Sequence, residues 1–124
     1  MAASDILIVE DEALIAVDIE MTLQGAGHRR ISVHASAETA LAEIERDPPR
    51  IAVLDVNLGE GRTSAPVAHR LRELDRPFMF LSAYTDETGA LPKGLPDAVR
   101  LAKPFSAREL TRMVDTLLAT GPRG

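Results

Sequence analysis

The sequence predicts an α/β fold built on a parallel sheet of five strands. Five short apolar runs alternate with longer amphipathic stretches, the pattern of repeated strand–helix–strand units. Those runs are rich in β-branched, Leu or Phe residues, as strands covered on both faces require. No internal repeat or low-complexity block interrupts the alternation.

Ile6 to Val9 is the first expected strand. From Glu12 to Gln24 a helix is expected, with Leu14, Val17 and Met21 on one face and Gly25 as its stop. Ile31 to Val33 is the second strand, and Ser36 can cap a helix bearing Ala40, Leu41 and Ile44 that must end before Pro48 and Pro49. After the third strand, Ile51 to Leu54, Ser64 can cap a helix with Pro66 in its first turn and Val67, Leu71 and Leu74 facing inward. Phe78 to Leu81 is the fourth strand. The following segment, Thr85 to Asp97, holds Gly89, Pro92, Gly94 and Pro96, so a loop or a conditionally formed helix is expected there. Val99 to Ala102 is the fifth strand. Ser106 and Glu109 then have the spacing of a capping box, followed by the stripe Leu110, Met113, Val114 and Leu117 before Gly121 and Pro122.

A length of 124 residues suits one domain over 1–124, with a core at about 5–119 and a tail at 120–124, so any output is expected to pass through a partner. Apolar residues at 45% and charged residues at 27% are the proportions of a soluble globular chain. No apolar run approaches the roughly 20 residues of a membrane span, and no signal peptide opens the chain, so a cytoplasmic location is expected. Without cysteine, thiol chemistry and disulfides are excluded. A net charge of -5 with no basic cluster argues against nucleic-acid binding, which rewards grouped Lys and Arg.

In an open parallel sheet, ligands bind outside the carboxyl ends of the strands. Glu10 and Asp11 follow the first strand, Asp55 follows the third run, Ser82 the fourth and Lys103 the fifth. Three carboxylates on one rim repel one another and call for a cation, and hard oxygen ligands favour magnesium. Asp55 is then the expected nucleophile for a phosphoryl group, with Lys103 and the Ser82 hydroxyl pairing with phosphoryl oxygens. Any one of these residues alone is an ordinary loop or turn residue, and only their conjunction points to a site. Pro104 after Lys103 implies a rigid turn of the kind that accommodates a cis bond. His28, His34 and His69 lack ligand spacing, and Gly59 and Gly61 lack a Walker-type partner and are expected only to shape the loop beside the site.

Four blocks, Ile6-Leu-Ile-Val-Glu-Asp-Glu12, Leu54-Asp-Val-Asn57, Phe80-Leu-Ser-Ala-Tyr84 and Lys103-Pro-Phe105, resemble in order and spacing the signatures of the response-regulator receiver family. The resemblance runs from Asp5 to about Ala119. It implies a doubly wound, flavodoxin-like receiver fold with strand order 2-1-3-4-5. It implies that Asp55 is the phosphorylation site and that Glu10, Asp11, Asp55 and the backbone carbonyl of Asn57 hold Mg2+. Ser82 and Lys103 are then the switch hydroxyl and the phosphate-pairing lysine.

The chain departs from the family pattern at four places. Glu10 stands where Asp is commoner. Gly59 replaces a common proline four residues after Asp55, which predicts a looser loop. Arg100 occupies the place of an aromatic switch residue, and Tyr84 is a candidate substitute reporter or a shield of the acyl phosphate. The block ending at Tyr84 and the degenerate fourth helix also resemble a subgroup of single-domain receivers whose switching surface is a flexible loop.

The function expected from the resemblance is phosphoacceptance from a sensor histidine kinase, with signal passed through the face around the fourth helix, fifth strand and last helix. The implied partners are that kinase and a histidine phosphotransfer protein or downstream target, with the chain a monomer or a weak phosphorylation-dependent dimer. No turnover of an external substrate is expected, only phosphotransfer to the chain itself and self-dephosphorylation. A magnesium-dependent aspartyl phosphatase is the rival enzyme reading, disfavoured because Asn57 stands where its second acid belongs. A phosphorylation-independent scaffold is the third, disfavoured by the complete acidic, hydroxyl and lysine set.

Overall fold

The computed structural model describes residues 5–82 and 98–119. Its elements are β1 (Ile6–Val9), α1 (Ala13–Gly25), β2 (Ile31–His34), α2 (Ala37–Arg46), β3 (Ile51–Asp55), α3 (Ala65–Glu73), β4 (Phe78–Ser82), β5 (Val99–Ala102) and α4 (Ala107–Ala119). All five strands are parallel in the order β2-β1-β3-β4-β5, as the resemblance implied.

Strand alternation divides the core between the two faces of this sheet. Leu7, Val9, Ala52, Leu54, Phe78 and Phe80 point to one face, where Ala40 and Ile44 of α2 and Val67, Ala68 and Leu71 of α3 cover them. Ile6, Ile8, Ile51, Val53, Met79 and Leu81 point to the other, under Ile19 and Leu23 of α1 and Leu110, Val114 and Leu117 of α4. Each large side chain so buried contributes about 1.5–3 kcal/mol, and the continuous apolar runs are explained by both faces being covered. Only the three central strands fit that description. β2 and β5 are half-buried or exposed along their length because each forms an edge of the sheet.

Three helix details differ from expectation. The face of α1 carrying Leu14, Val17 and Met21 points to solvent, with exposures of 86%, 49% and 64%, and Ala16, Ile19 and Leu23 are the buried set. Helix α1 runs through Gly25 and turns at Gly27, whose φ of 101° is readily adopted only without a side chain. Ser64 precedes α3 but does not cap it. Its hydroxyl is buried without a partner among the described residues, while Thr63 Oγ1 accepts from Ala65 N at 3.2 Å. The other caps form as expected: Ser36 Oγ accepts from Thr39 N at 3.3 Å, and Ser106 and Glu109 bond reciprocally at 2.9 and 3.0 Å.

Candidate functional site

The register of the central strands builds the site. Val9 pairs with Leu54, so the residues that follow, Glu10 and Asp55, leave neighbouring strand ends side by side. Carboxylate oxygens of Glu10, Asp11 and Asp55 lie within 4.8 Å of one another. Glu10 and Asp55 are buried, whereas Asp11 is exposed at the rim. On the far side, Ser82 ends β4 opposite Ala102, and its carbonyl accepts from Lys103 N at 2.8 Å. The next peptide bond, Lys103–Pro104, is cis. The Lys103 ammonium lies 3.1 Å from Glu10 Oε1 and 3.2 Å from Asp55 Oδ2.

Backbone donors complete the frame. Glu12 N donates to Glu10 Oε2 at 3.1 Å and Asn57 N to Asp55 Oδ1 at 3.3 Å. Burial pushes the Glu10 carboxyl up to about 7, reinforced by Asp55 beside it and opposed by Glu12 N and Lys103. Desolvation also weakens the charge on Lys103, but the nearby Asp55 and Glu10 outweigh it and hold the ammonium above the usual lysine value. Two buried carboxylates share the Lys103 ammonium and a third, exposed, lies beside them, leaving excess negative charge among carboxylate oxygens at the rim. That donor set suits a hard divalent ion such as magnesium.

Glu10, Asp11, Asp55 and Lys103 are thus brought into one cluster, and Ser82 stands buried at the same rim. Asn57 lies two residues after Asp55 in the loop, and its side-chain Oδ1 accepts from Gly59 N at 3.0 Å. Tyr84 and the segment from Thr85 to Asp97 lie outside the described residues. Arg100 is exposed on β5, paired in register with Phe80.

The loop after β3 is not the loose connection that Gly59 led one to expect. Leu58 N donates to Arg62 O and Arg62 N to Gly59 O, both at 2.9 Å, and Asn57 bridges Thr63. Gly59, Glu60 and Gly61 all have positive φ, at 82°, 52° and 75°, so the glycines do shape this loop.

Two features depart from the sequence expectation or lie outside it. The buried Glu43 carboxylate accepts from Ser32 Oγ at 2.9 Å and pairs with His34 Nε2 at 2.9 Å, tying edge strand β2 to α2. That gives His34 a structural partner, just as Asp115 gives one to His28 at 3.1 Å. The outward apolar stripe of α1 begins at Leu14, only three residues after Asp11, so a hydrophobic surface adjoins the acidic rim.

Comparison with known proteins places residues 6–115 in the response regulator receiver domain. The phyllosphere-induced regulator PhyR of Methylorubrum extorquens is 32% identical over 121 residues, covering 94% of this chain but 44% of that protein. The phosphate regulon transcriptional regulatory protein PhoB of Pseudomonas aeruginosa is 33% identical, covering 98% of this chain and 55% of its own length. This chain therefore spans about half of each of these two relatives. Among solved structures, SdrG from Sphingomonas melonis Fr1 has a TM-score of 0.78 at 35% identity, covering 95% of this chain and 99% of that one. The receiver domain of NtrX from Brucella abortus has a TM-score of 0.82 at 26% identity, covering 94% and 99%. With this sheet order, this acidic rim and these relatives, the chain belongs to the response regulator receiver domain family of two-component signalling.

Proposed function

We propose that this chain is a phosphoacceptor whose Asp55 takes a phosphoryl group from the phosphohistidine of a sensor histidine kinase. An Asp55 carboxylate oxygen attacks phosphorus, the P–N bond breaks with its electron pair remaining on the imidazole, and an acyl phosphate forms. The observation that carries this reading is the Lys103 ammonium lying against both Asp55 and Glu10 within a cluster of three carboxylates. Glu10, Asp11, Asp55 and the Asn57 backbone carbonyl would hold Mg2+. Bound there, the ion supplies positive charge to the phosphoryl oxygens. Lys103 then turns from the free carboxylates to a phosphoryl oxygen, and the Ser82 hydroxyl hydrogen-bonds another.

The outward stripe of Leu14, Val17 and Met21 beside this rim supports docking of a helical partner where the donor histidine must approach. The chain transfers phosphate only to itself and loses it by hydrolysis, and it acts in the cytoplasm. It passes the signal to a histidine phosphotransfer protein or a downstream target, as a monomer or a weak phosphorylation-dependent dimer. The phosphatase reading has no added support, since Asn57 supplies no acid and its side chain is engaged with Gly59 N.

Intact mass after incubation with acetyl phosphate tests the proposal. The expected result is a magnesium-dependent gain of one phosphoryl group. No gain, under conditions that phosphorylate another receiver, contradicts it.

A further inference from the structure

Of the three acidic side chains at the rim, Asp11 is the least constrained. Glu10 is held by Lys103 and Glu12 N, and Asp55 by Lys103 and Asn57 N. Among the described residues nothing hydrogen-bonds or ion-pairs with the Asp11 carboxylate, which is exposed and lies beside two other carboxylates. Repulsion favours its swinging away into solvent. Its neighbour across the rim is Gly59, where an added Cβ would lie 3.2 Å from Asp11 Oδ2.

Gly59 is itself held in place. Its N donates to Asn57 Oδ1 at 3.0 Å, its carbonyl accepts from Arg62 N at 2.9 Å, and its φ is 82°. Proline, common at this place in the family, fixes φ near roughly -65° and cannot adopt that conformation. The chain has thus closed this loop with a left-handed turn, and the turn sets a side-chain-free α-carbon against Asp11.

We infer that Gly59 is a positioning residue for the ion site: its bare α-carbon, pinned by the Asn57 side chain, leaves the space in which Asp11 remains beside Glu10 and Asp55. The inference rests on the magnesium reading above and deepens it. A methyl group at position 59 is accommodated by rotating the end of a flexible, unbonded side chain. The Asp11 carboxylate must then give way by a few tenths of an ångström from its place beside Glu10 and Asp55. Changes behind a metal ligand of this kind typically weaken binding about 10–100-fold.

Gly61 supplies the control. Its φ is 75°, similar to that of Gly59, but an added Cβ there meets nothing within 4 Å. Gly59→Ala and Gly61→Ala therefore share the backbone strain and differ in the contact with Asp11. The experiment is calorimetric titration of MgCl2 into the native full chain, both glycine variants, Asp11→Ala, and the Gly59→Ala/Asp11→Ala double variant. Urea unfolding in EDTA is run on each. Gly59→Asn, which tolerates a left-handed backbone better than Ala, repeats the steric arm should Gly59→Ala fail to fold.

The expected result is magnesium binding about tenfold weaker in Gly59→Ala and within about twofold of native in Gly61→Ala, with similar stability losses in EDTA. In the Asp11→Ala background, Gly59→Ala should add no further weakening. Equal magnesium affinities for the two glycine variants, or a Gly59→Ala effect that survives in that background, would overturn the inference while leaving the magnesium reading intact. A native chain that binds no magnesium overturns both.

Discussion

The Lys103 ammonium lies 3.2 Å from Asp55 Oδ2 and, through the same nitrogen, 3.1 Å from Glu10 Oε1, so one cation is shared by two buried carboxylates. Removing it leaves both without a counter-charge. With the partial exposure of the lysine taken into account, Lys103→Met should cost about 2 kcal/mol of stability in EDTA at pH 8. Magnesium should restore part of that loss by supplying positive charge to the same carboxylates. Urea unfolding with and without the ion measures both effects.

Glu10 titrates at about 7 in the folded chain against an ordinary value of 4.5, so without a divalent ion the folded state holds this proton more tightly than the unfolded one. The resulting stabilisation is fully present below about pH 4.5 and is lost as pH rises through about 7, on the order of 3 kcal/mol in all. Ion binding requires the carboxylate, so magnesium affinity should rise between pH 6 and 8, with proton release at the lower end. Calorimetry in two buffers of different ionisation enthalpy reads the released proton. Glu10→Gln should abolish the release. A native chain whose magnesium affinity is flat across this range would count against a Glu10 ligand.

The exposed and buried faces of α1 should respond in opposite ways. Val17→Glu on the outward stripe should change stability by no more than about 0.5 kcal/mol, whereas Ile19→Ala in the core should cost about 3 kcal/mol. With a cognate kinase, Val17→Glu should slow phosphotransfer at least tenfold and leave phosphorylation by acetyl phosphate unchanged. Equal rates from the kinase would remove this face from the docking surface.

Ser64 offers a test of a local feature. Because its buried hydroxyl has no partner among the described residues, Ser64→Ala should leave stability unchanged or raise it by up to about 1 kcal/mol. Ser106→Ala, which breaks a formed capping box, should lower it by about 1 kcal/mol. Thermal melting of the pair makes the comparison. A loss on Ser64→Ala as large as that on Ser106→Ala would indicate a hydroxyl partner.

These comparisons show what a linear reading captures. The strands were legible because the central three are apolar on both faces, and the rim residues because they stand at or just past the carboxyl ends of the strand runs. Helix α1 was misread because it is apolar on two sides: Leu14, Val17 and Met21 form one stripe and Ala16, Ile19 and Leu23 another. Periodicity alone does not choose between them, and contact with the sheet does. Ser64 carries the cap signal that Ser36 carries, but the turn closing on Val56 O buries its hydroxyl instead. The approach of Gly59 to Asp11 joins residues from two loops, so no local pattern encodes it.

The phosphoacceptor itself is tested most directly by trapping. The chain is treated with phosphoramidate and magnesium, then with borohydride, which reduces an aspartyl phosphate to homoserine, and is digested for peptide mass mapping. Conversion of Asp55 alone, absent without magnesium and absent from Asp55→Asn, is the expected result. Conversion at another aspartate, or a phosphoryl gain that persists in Asp55→Asn, would contradict the assignment.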